Sequence, residues 1–159
     1  MKTISMIGCA AAIVVGMAAP ATAATTDPEV IIYRVPGVRD DGGGGFVGVG
    51  TVFHCTNFSG ATENIRFVTR NWNNALLSNV LVDNIQHLTT FTVATKAVFA
   101  YVALPVFNTG VVNQGTTAIA ATSRNIVCTA MTIDAANGKP TFAVSLRGIR
   151  FNPAPGSQE

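Results

Sequence analysis

Charged side chains are scarce in this sequence. Only 11% of its 159 residues are Asp, Glu, Lys or Arg, whereas an ordinary soluble domain has about 25%. The basic residues are scattered and the formal net charge is only +2, which argues against a nucleic-acid binder, because such a protein presents a basic stripe. The low charge also leaves few groups for acid–base chemistry. Thr, Asn, Ser and Gly take their place, which suits a β protein outside the cytoplasm.

The residue patterns of common enzyme and metal sites are also missing. The chain has no G-x-S-x-G nucleophile elbow, and its glycine run, residues 42–45, lacks the Lys-Ser or Lys-Thr of a phosphate-binding loop. The histidines, His54 and His87, are too few for a zinc site. A copper site would need a histidine near Cys128 and Met131. We predict no catalytic residue, no cofactor and no metal ligand; a small metal protein or a hydrolase stays an alternative.

Asp40 and Asp41 precede the glycine run and offer two adjacent carboxylates to a calcium ion. Calcium takes about six to eight oxygen ligands, so other acids would have to approach, and nothing in the sequence requires this. The segment is instead predicted to be a solvated, flexible connection with no means of packing.

Long apolar runs are confined to the N-terminus. Lys2 is followed by an almost wholly apolar run, residues 7–19, and Ala21-Thr22-Ala23 has the small-x-small pattern that signal peptidase cuts after. Residues 1–23 are therefore predicted to be a cleaved signal peptide, which implies export to the periplasm or the exterior of a bacterium. No later run approaches the ~18 apolar residues of a membrane span. The mature chain is predicted to have no membrane span.

Cysteine is rare, and its positions are informative. Of three cysteines, Cys9 lies in the predicted signal peptide, so the mature chain keeps only Cys55 and Cys128. In an oxidising compartment these two are predicted to form a disulfide. The two residues are separated by 73 positions, and closing so long a loop stabilises a fold by up to ~4 kcal/mol.

Short apolar, β-branched segments separated by turn residues fill the mature chain. Their spacing, and the absence of a capped amphipathic helix, predict an all-β protein: one antiparallel two-sheet sandwich, immunoglobulin-like or related. Its parts would be an N-terminal strand with the glycine-rich loop in residues 24–45, the sandwich core in 46–151 and a tail in 152–159. The predicted strands are 30–35, 46–56, 64–70, 76–82, 88–95, 97–104, 116–122, 125–133 and 141–151.

Three short segments are distinctive: Phe53-His54-Cys55-Thr56-Asn57, Asn125-Ile126-Val127-Cys128-Thr129-Ala130 and Arg150-Phe151-Asn152-Pro153. Together they resemble a group of small exported bacterial proteins of unknown function, a resemblance that implies a fold type and no activity. The order Cys55, Trp72, Cys128 also resembles the immunoglobulin arrangement, although Ile126 stands where that family has a tyrosine. This second resemblance implies a disulfide between opposing sheets.

The single tryptophan lies among amides, in Asn71-Trp72-Asn73-Asn74. An aromatic plane among amides is what a sugar-binding surface uses, so these four residues are candidate ligand contacts; a core tryptophan is the competing interpretation. Edge strands with few charges can also accept a partner strand. We therefore predict an exported non-enzymatic module for binding, adhesion or structure, whose partner is a protein or glycan outside the cytoplasm. Carbohydrate binding at Trp72 is the alternative.

Overall fold

The computed structural model describes residues 27–151. The predicted signal peptide, residues 1–23, and the predicted tail, residues 152–159, lie outside the described residues. The described part contains nine strands and no α-helix. In chain order they are β1 (Val30–Asp40), β2 (Val49–Asn57), β3 (Glu63–Asn71), β4 (Leu76–Ile85), β5 (Thr90–Ala94), β6 (Val112–Ala121), β7 (Ile126–Asp134), β8 (Ala143–Leu146) and β9 (Ile149–Arg150).

The strands form two antiparallel sheets that pack face to face. The first sheet has five strands in the order β4-β3-β6-β1-β9, and the second has four in the order β5-β2-β7-β8. The predicted all-β two-sheet sandwich is confirmed. Apart from the β3–β4 and β7–β8 hairpins, each connection along the chain passes from one sheet to the other.

The main core lies between the two sheets. Residues that alternate along a strand point to opposite faces, so Ile65 and Phe67 of β3 are fully buried while Arg66 between them is partly exposed. The Phe67 ring lies 5.8 Å from the Phe53 ring across the sandwich. The largest fully buried apolar side chains of this core are Phe53, Phe67, Ile32, Ile65, Ile119 and Ile126.

Cys55 and Cys128 form the predicted disulfide, with their Cα atoms 4.2 Å apart. They face each other on the adjacent strands β2 and β7, so the bridge lies within the second sheet. The expected bridge between opposing sheets is therefore wrong. Directly opposed residues of an antiparallel pair are close enough for a disulfide without help from the other layer.

Several predicted strand boundaries are also wrong. Residues 97–104 join no sheet, and the predicted strand 141–151 is divided into β8 and β9, which lie in different sheets. Strand β1 continues through Pro36 and Gly37, where sequence patterns predicted its end. Pro36 is tolerated because β9 pairs with only two residues of β1, so proline lies on a free edge, and a register shift after Pro36 absorbs the irregularity.

Candidate binding site at the loop end of the sandwich

Several long connections meet at one end of the sandwich. The strand register places Asp40 opposite Val112 and Val49 opposite Asp134. The two sheets are joined at this end, because the Asp41 N–H donates a hydrogen bond of 3.2 Å to the Val49 carbonyl. The connections that leave these strand ends, here called the loop end, are residues 41–48, 72–75, 95–111 and 135–142.

Residues 95–106 form an irregular strap over the outer face of the second sheet. The Phe99 N–H donates to the Ala135 carbonyl at 3.1 Å, and the Leu104 N–H donates to the Thr92 carbonyl at 2.9 Å. These partners come from β5 and from the connection after β7, not from one neighbouring strand. The apolar residues of the strap therefore pack as a loop, and their alternation in the sequence does not make them a strand.

A second apolar cluster, the strap cluster, lies between this sheet face and the strap. Phe53 and Val52 are neighbours on β2 and point to opposite faces, so Phe53 lies in the main core and Val52 lies under the strap. The outer face of the second sheet is thus covered near the loop end, whereas Val127 farther along the same face is 44% exposed. The buried members of the strap cluster are small or medium in size: Val52, Ala94, Val98, Ala103, Ile133 and Ala135.

The outer surface of the strap is apolar. Val102 is 84% exposed, Leu104 70% and Phe99 61%. The Phe99 ring lies 4.7 Å from the ring of Phe46, which comes from the glycine-rich connection. Together with neighbouring strap residues these side chains line a groove of about 390 Å³. Contiguous exposed apolar surface of this kind is typical of interaction sites.

A buried ion cluster anchors the start of the strap. The Lys96 Nζ lies 3.0 Å from Asp40 Oδ1 and also contacts Asp41 Oδ1, and the side chains of Lys96 and Asp40 are almost fully buried. Burial by itself lowers the pKa of Lys96, but its hydrogen bonds to Asp41 and Asp40 outweigh this effect and raise it. The hydrogen bond from Lys96 is also the main reason that the pKa of Asp41 is lowered.

This ion cluster corrects the prediction for the glycine-rich connection. Asp40 is 3% exposed, and the Asp41 Oδ2 accepts a hydrogen bond of 2.9 Å from the Val49 N–H. The segment is therefore packed at its start, and the predicted lack of packing is wrong, whereas residues 41–48 are exposed to solvent as predicted. The two carboxylates that were considered as calcium ligands contact the ammonium group of Lys96 instead.

His54 packs beside the strap on the same sheet face as Val52. Its Nδ1 lies 2.9 Å from Thr92 Oγ1, and its ring lies 4.7 Å from the Tyr101 ring in an edge-on arrangement. Burial lowers the pKa of His54, so the ring is neutral near pH 7. It acts as a packing residue between β5 and the strap.

Asp134 organises the connection that follows β7. Its carboxylate accepts hydrogen bonds from the Ala136 N–H at 2.9 Å, the Asn137 side chain at 3.0 Å and the Thr141 hydroxyl at 3.0 Å. The hydrogen bond from the Ala136 backbone contributes most to lowering the pKa of Asp134 to about 2. The hydrogen bonds of this carboxylate therefore stabilise the loop that follows β7.

Trp72 is 75% exposed at the tip of the β3–β4 turn, so the interpretation as a core tryptophan is wrong. The Asn71 side chain fixes the turn, because its Oδ1 accepts hydrogen bonds from the N–H groups of Asn73 at 3.2 Å and Ala75 at 2.9 Å. The turn therefore holds the indole ring away from the core.

A groove of about 260 Å³ lies beside Trp72, and Asn71, Gln114 and Thr116 are among its lining residues. The structure thus brings Asn71 and Trp72 to one groove and adds an amide and a hydroxyl from β6. Asn73 and Asn74 do not line it. Asn74 serves the turn instead, because it holds a left-handed backbone with φ of 69°, which asparagine tolerates.

The chain matches no protein-family model, no curated protein and no solved structure. Among residues 27–151, no group of three or more His, Cys, Asp or Glu side chains is placed to hold a metal ion. The same part of the chain contains no helix of the length and apolarity that a membrane span requires.

Sequence patterns missed the strap as a surface and the Lys96–Asp40 pair as its anchor. One signal was present: no charged residue occurs between Lys96 and Arg124. An uncharged stretch that begins with residues 97–106 is too apolar for an ordinary solvent-exposed loop. It indicates either a buried segment or a surface that contacts another molecule.

Proposed function

We propose that this protein is a non-enzymatic binding module that works outside the cytoplasm and contacts a partner protein through the strap. The observation that carries the proposal is the orientation of the strap side chains. Val98 and Ala103 point to the sheet, whereas the larger Phe99 and Leu104 point to solvent. A segment that served only to cover the sheet would bury its largest apolar groups, because each contributes about 1.5–3 kcal/mol when buried.

The anchoring of the strap supports the same proposal. Its backbone is held by hydrogen bonds to Thr92 and Ala135 and its first turn by the buried Lys96–Asp40 pair. A surface whose shape is fixed before association loses less conformational entropy on binding. Phe99 and Leu104 would therefore present a largely preformed apolar surface to the partner.

Two features support action outside the cytoplasm. Cys55 and Cys128 form a disulfide, and disulfides persist mainly in oxidising compartments. Residues 1–23 have the pattern of a signal peptide. Fusing this segment to a reporter enzyme that is active only after export, and comparing it with a version in which residues 7–19 are interrupted by charges, tests the localisation directly.

Photo-crosslinking tests the strap as the contact surface. A photoreactive amino acid at Val102, expressed in the native host, should yield an adduct with a partner protein. The same group at Leu88, an equally apolar residue that is 64% exposed at the opposite end of the sandwich, is the matched control and should yield none. Adding Leu104→Ser should abolish the adduct at position 102, while Leu88→Ser should leave it unchanged.

Equal adduct formation at positions 88 and 102, or an adduct at 102 that survives Leu104→Ser, would show that the strap has no specific partner. Circular dichroism of each variant controls for folding. Because all substituted residues are exposed, each should change the free energy of unfolding by less than about 0.5 kcal/mol.

A second candidate function, carbohydrate binding, is favoured by the exposure of Trp72 and by the amide and hydroxyl groups in its groove. Asn71, Gln114 and Thr116 can donate and accept hydrogen bonds beside an aromatic ring that is free to stack on a sugar face. This site is separate from the strap in the sequence and is tested separately.

Tryptophan fluorescence tests this candidate cleanly, because Trp72 is the single tryptophan. A neutral polysaccharide that binds in the groove should shift the emission, and Trp72→Ala should abolish retention on the immobilised polysaccharide. Phe58→Ala removes an aromatic that is 50% exposed near the other end and should leave retention intact. An emission that no glycan in a broad panel changes would remove the candidate.

A further inference from the structure

The space between the two sheets opens to solvent along one edge of the sandwich. In the first sheet the edge strand β9 pairs with Tyr33 and Arg34 of β1 and does not reach the second half of that strand. In the second sheet the edge strand is β8, whose Leu146 packs against the main core. Val144 lies on the same face of β8 and is 58% exposed. The inner face of β8 is therefore covered at Leu146 and open at Val144.

A groove of about 290 Å³ occupies this opening. Arg39 of β1 and Thr132 of β7 contribute polar groups to it. Apolar side chains from β2, β8 and the residue before β8 form most of its wall: Val49, Phe142, Val144 and Leu146. The groove lies between the sheets, whereas the strap covers the outer face of the second sheet. A concave, mostly apolar surface with a few polar groups is typical of small-molecule sites.

Thr132 brings an unsatisfied hydroxyl group to this groove. The residue is 8% exposed, and its Oγ1 is buried and forms no hydrogen bond within residues 27–151. Thr51, which lies opposite Thr132 on β2, differs: its hydroxyl donates to the Arg39 carbonyl at 2.9 Å and accepts from the Arg39 N–H at 2.8 Å. Buried hydroxyl groups are normally hydrogen-bonded. The Thr132 hydroxyl therefore remains able to bond a ligand in the groove.

Arg39 brings a cation to the rim of the groove. Its backbone is held by the two hydrogen bonds to the Thr51 side chain, and its own side chain is exposed. In the part of the chain that the structure describes, the cations that pair with carboxylates are Arg66 and Lys96. Arg39 therefore forms no ion pair with a carboxylate of residues 27–151.

The acidic side chains closest to the groove along the strands have other partners. Asp40 follows Arg39 on β1 but contacts Lys96. Asp134 lies opposite Val49, and its carboxylate accepts hydrogen bonds from residues 136, 137 and 141 of its own loop. The charge of Arg39 is thus not balanced by either carboxylate, and a ligand with one negative charge would complement it.

We infer that this groove binds a small amphipathic monocarboxylate, with its apolar body against Phe142 and Val144 and its carboxylate between Arg39 and the Thr132 hydroxyl. The planar guanidinium group presents paired N–H donors that match the two oxygens of a carboxylate. Arg39 is the single cation among the lining residues, so it matches one negative charge rather than the two of a phosphate monoester. The groove is separate from the strap and does not depend on a partner there.

Octanoate is the probe, and octanol, which has the same chain length and no charge, is its blank. Adding octanoate to the mature chain should shift the amide resonances of Thr132 and Val144 in two-dimensional NMR spectra. Arg39→Gln should weaken octanoate binding about tenfold or more, because charge-assisted hydrogen bonds are lost, and should hardly change octanol binding. The matched control, Arg34→Gln, removes the same charge from another exposed arginine of β1 and should change octanoate binding less than about twofold.

Two further variants test the hydroxyl and the apolar wall. Thr132→Val keeps the side-chain volume and should weaken octanoate binding about fivefold. It should not lower the free energy of unfolding, because the hydroxyl that it removes has no partner in the free protein. Val144→Ser should weaken the binding of octanoate and octanol alike. Val127→Ser, at a residue that is 44% exposed on β7, is its control and should leave both unchanged.

Several results would overturn the inference. Octanol binding as tightly as octanoate, or equal losses in Arg39→Gln and Arg34→Gln, would show that the groove does not select a carboxylate. Unchanged octanoate affinity in Thr132→Val would place the ligand elsewhere. Benzoate is a second probe with a ring in place of the chain, and the absence of amide shifts with both probes at millimolar concentration would show that no such site exists.

Discussion

The two apolar clusters of this protein cover opposite faces of the same sheet and are built differently. In the main core, Phe53 and Phe67 from opposing sheets pack ring against ring and are fully buried. In the strap cluster, Val98 and Ala103 provide the buried contacts from an irregular segment, and the larger Phe99 of the same segment remains in solvent.

If the strap binds a partner as proposed, this difference separates stability from recognition. Burial of large aromatic side chains stabilises the sandwich, because the favourable transfer free energy grows with the apolar area removed from water. The strap buries small side chains and keeps its large ones available for contact. We therefore expect substitutions in the main core to act on the free energy of unfolding and those on the outer strap to act on binding.

The largest expected effect compares the two clusters directly. Phe67→Ala in the main core should lower the free energy of unfolding by about 3–5 kcal/mol, the range for truncating a buried aromatic. Val98→Ala under the strap should lower it by only about 1–2 kcal/mol, because about two methyl groups are lost. Urea unfolding of both variants measures these values, and equal losses would mean that the strap cluster is as important for stability as the main core.

Removing the disulfide should have the next largest effect. The double substitution Cys55→Ser and Cys128→Ser should lower the free energy of unfolding by about 2–4 kcal/mol. Since the bridge joins neighbouring strands of one sheet, the layers should stay together and the far-ultraviolet circular dichroism should remain that of a β protein. Loss of the β signal in water would indicate that the bridge is required to hold the two sheets.

The anchor of the strap should matter somewhat less. Lys96→Met leaves Asp40 buried without its cation and should lower the free energy of unfolding by about 2–3 kcal/mol. This loss is smaller than the loss expected for a completely buried ion pair, because Asp41 is partly exposed to solvent. Adding Asp40→Asn should recover part of the loss. Hydrogen exchange should quicken at the Phe99 amide and change little at main-core amides; uniform acceleration would show that the pair stabilises the whole fold.

The smallest expected effect is the pH dependence of the loop end. The pKa of Asp134 is lowered from 3.8 to about 2 and that of Asp41 is lowered also, so their stabilisation is complete above pH 4 and is lost as pH falls through the folded-state values. The pKa of Lys96 is raised above 10.5, so its contribution is complete below that pH and is lost as pH rises through the raised value. Thermal unfolding midpoints measured from acidic to alkaline pH should fall at both extremes. Lys96→Met should remove the fall at alkaline pH.

The strands of the sandwich were largely predictable because their signal is local. Alternation of apolar and polar residues around Phe67 requires only neighbours in the sequence, and β3 differs from its prediction by one residue at each end. The strap was not predictable in the same way. Residues 97–104 have the composition of a strand, but whether a strand forms depends on a partner strand, and here the sheet edge and Ala135 provide scattered hydrogen bonds instead.

For the candidate site residues, too, local sequence patterns predicted some properties and only the fold decided the others. With one possible pair in the predicted mature chain, the Cys55–Cys128 disulfide followed from the sequence, whereas its place within one sheet followed from the register of β2 and β7. That Asn71 and Trp72 lie between two strands agrees with the predicted strands 64–70 and 76–82. The exposure of Trp72 depends on how the turn leaves the sandwich, which no local pattern specifies.

The amino-acid sequence by itself determined that the chain is all-β and that Cys55 and Cys128 are the one possible pair of the predicted mature chain. Only the tertiary structure decided that the strap exposes Phe99 and that Lys96 is buried against Asp40. The physical reason is the range of each interaction: side-chain alternation acts between adjacent residues, whereas exposure and ion pairing depend on which distant segments the packing of two sheets brings together.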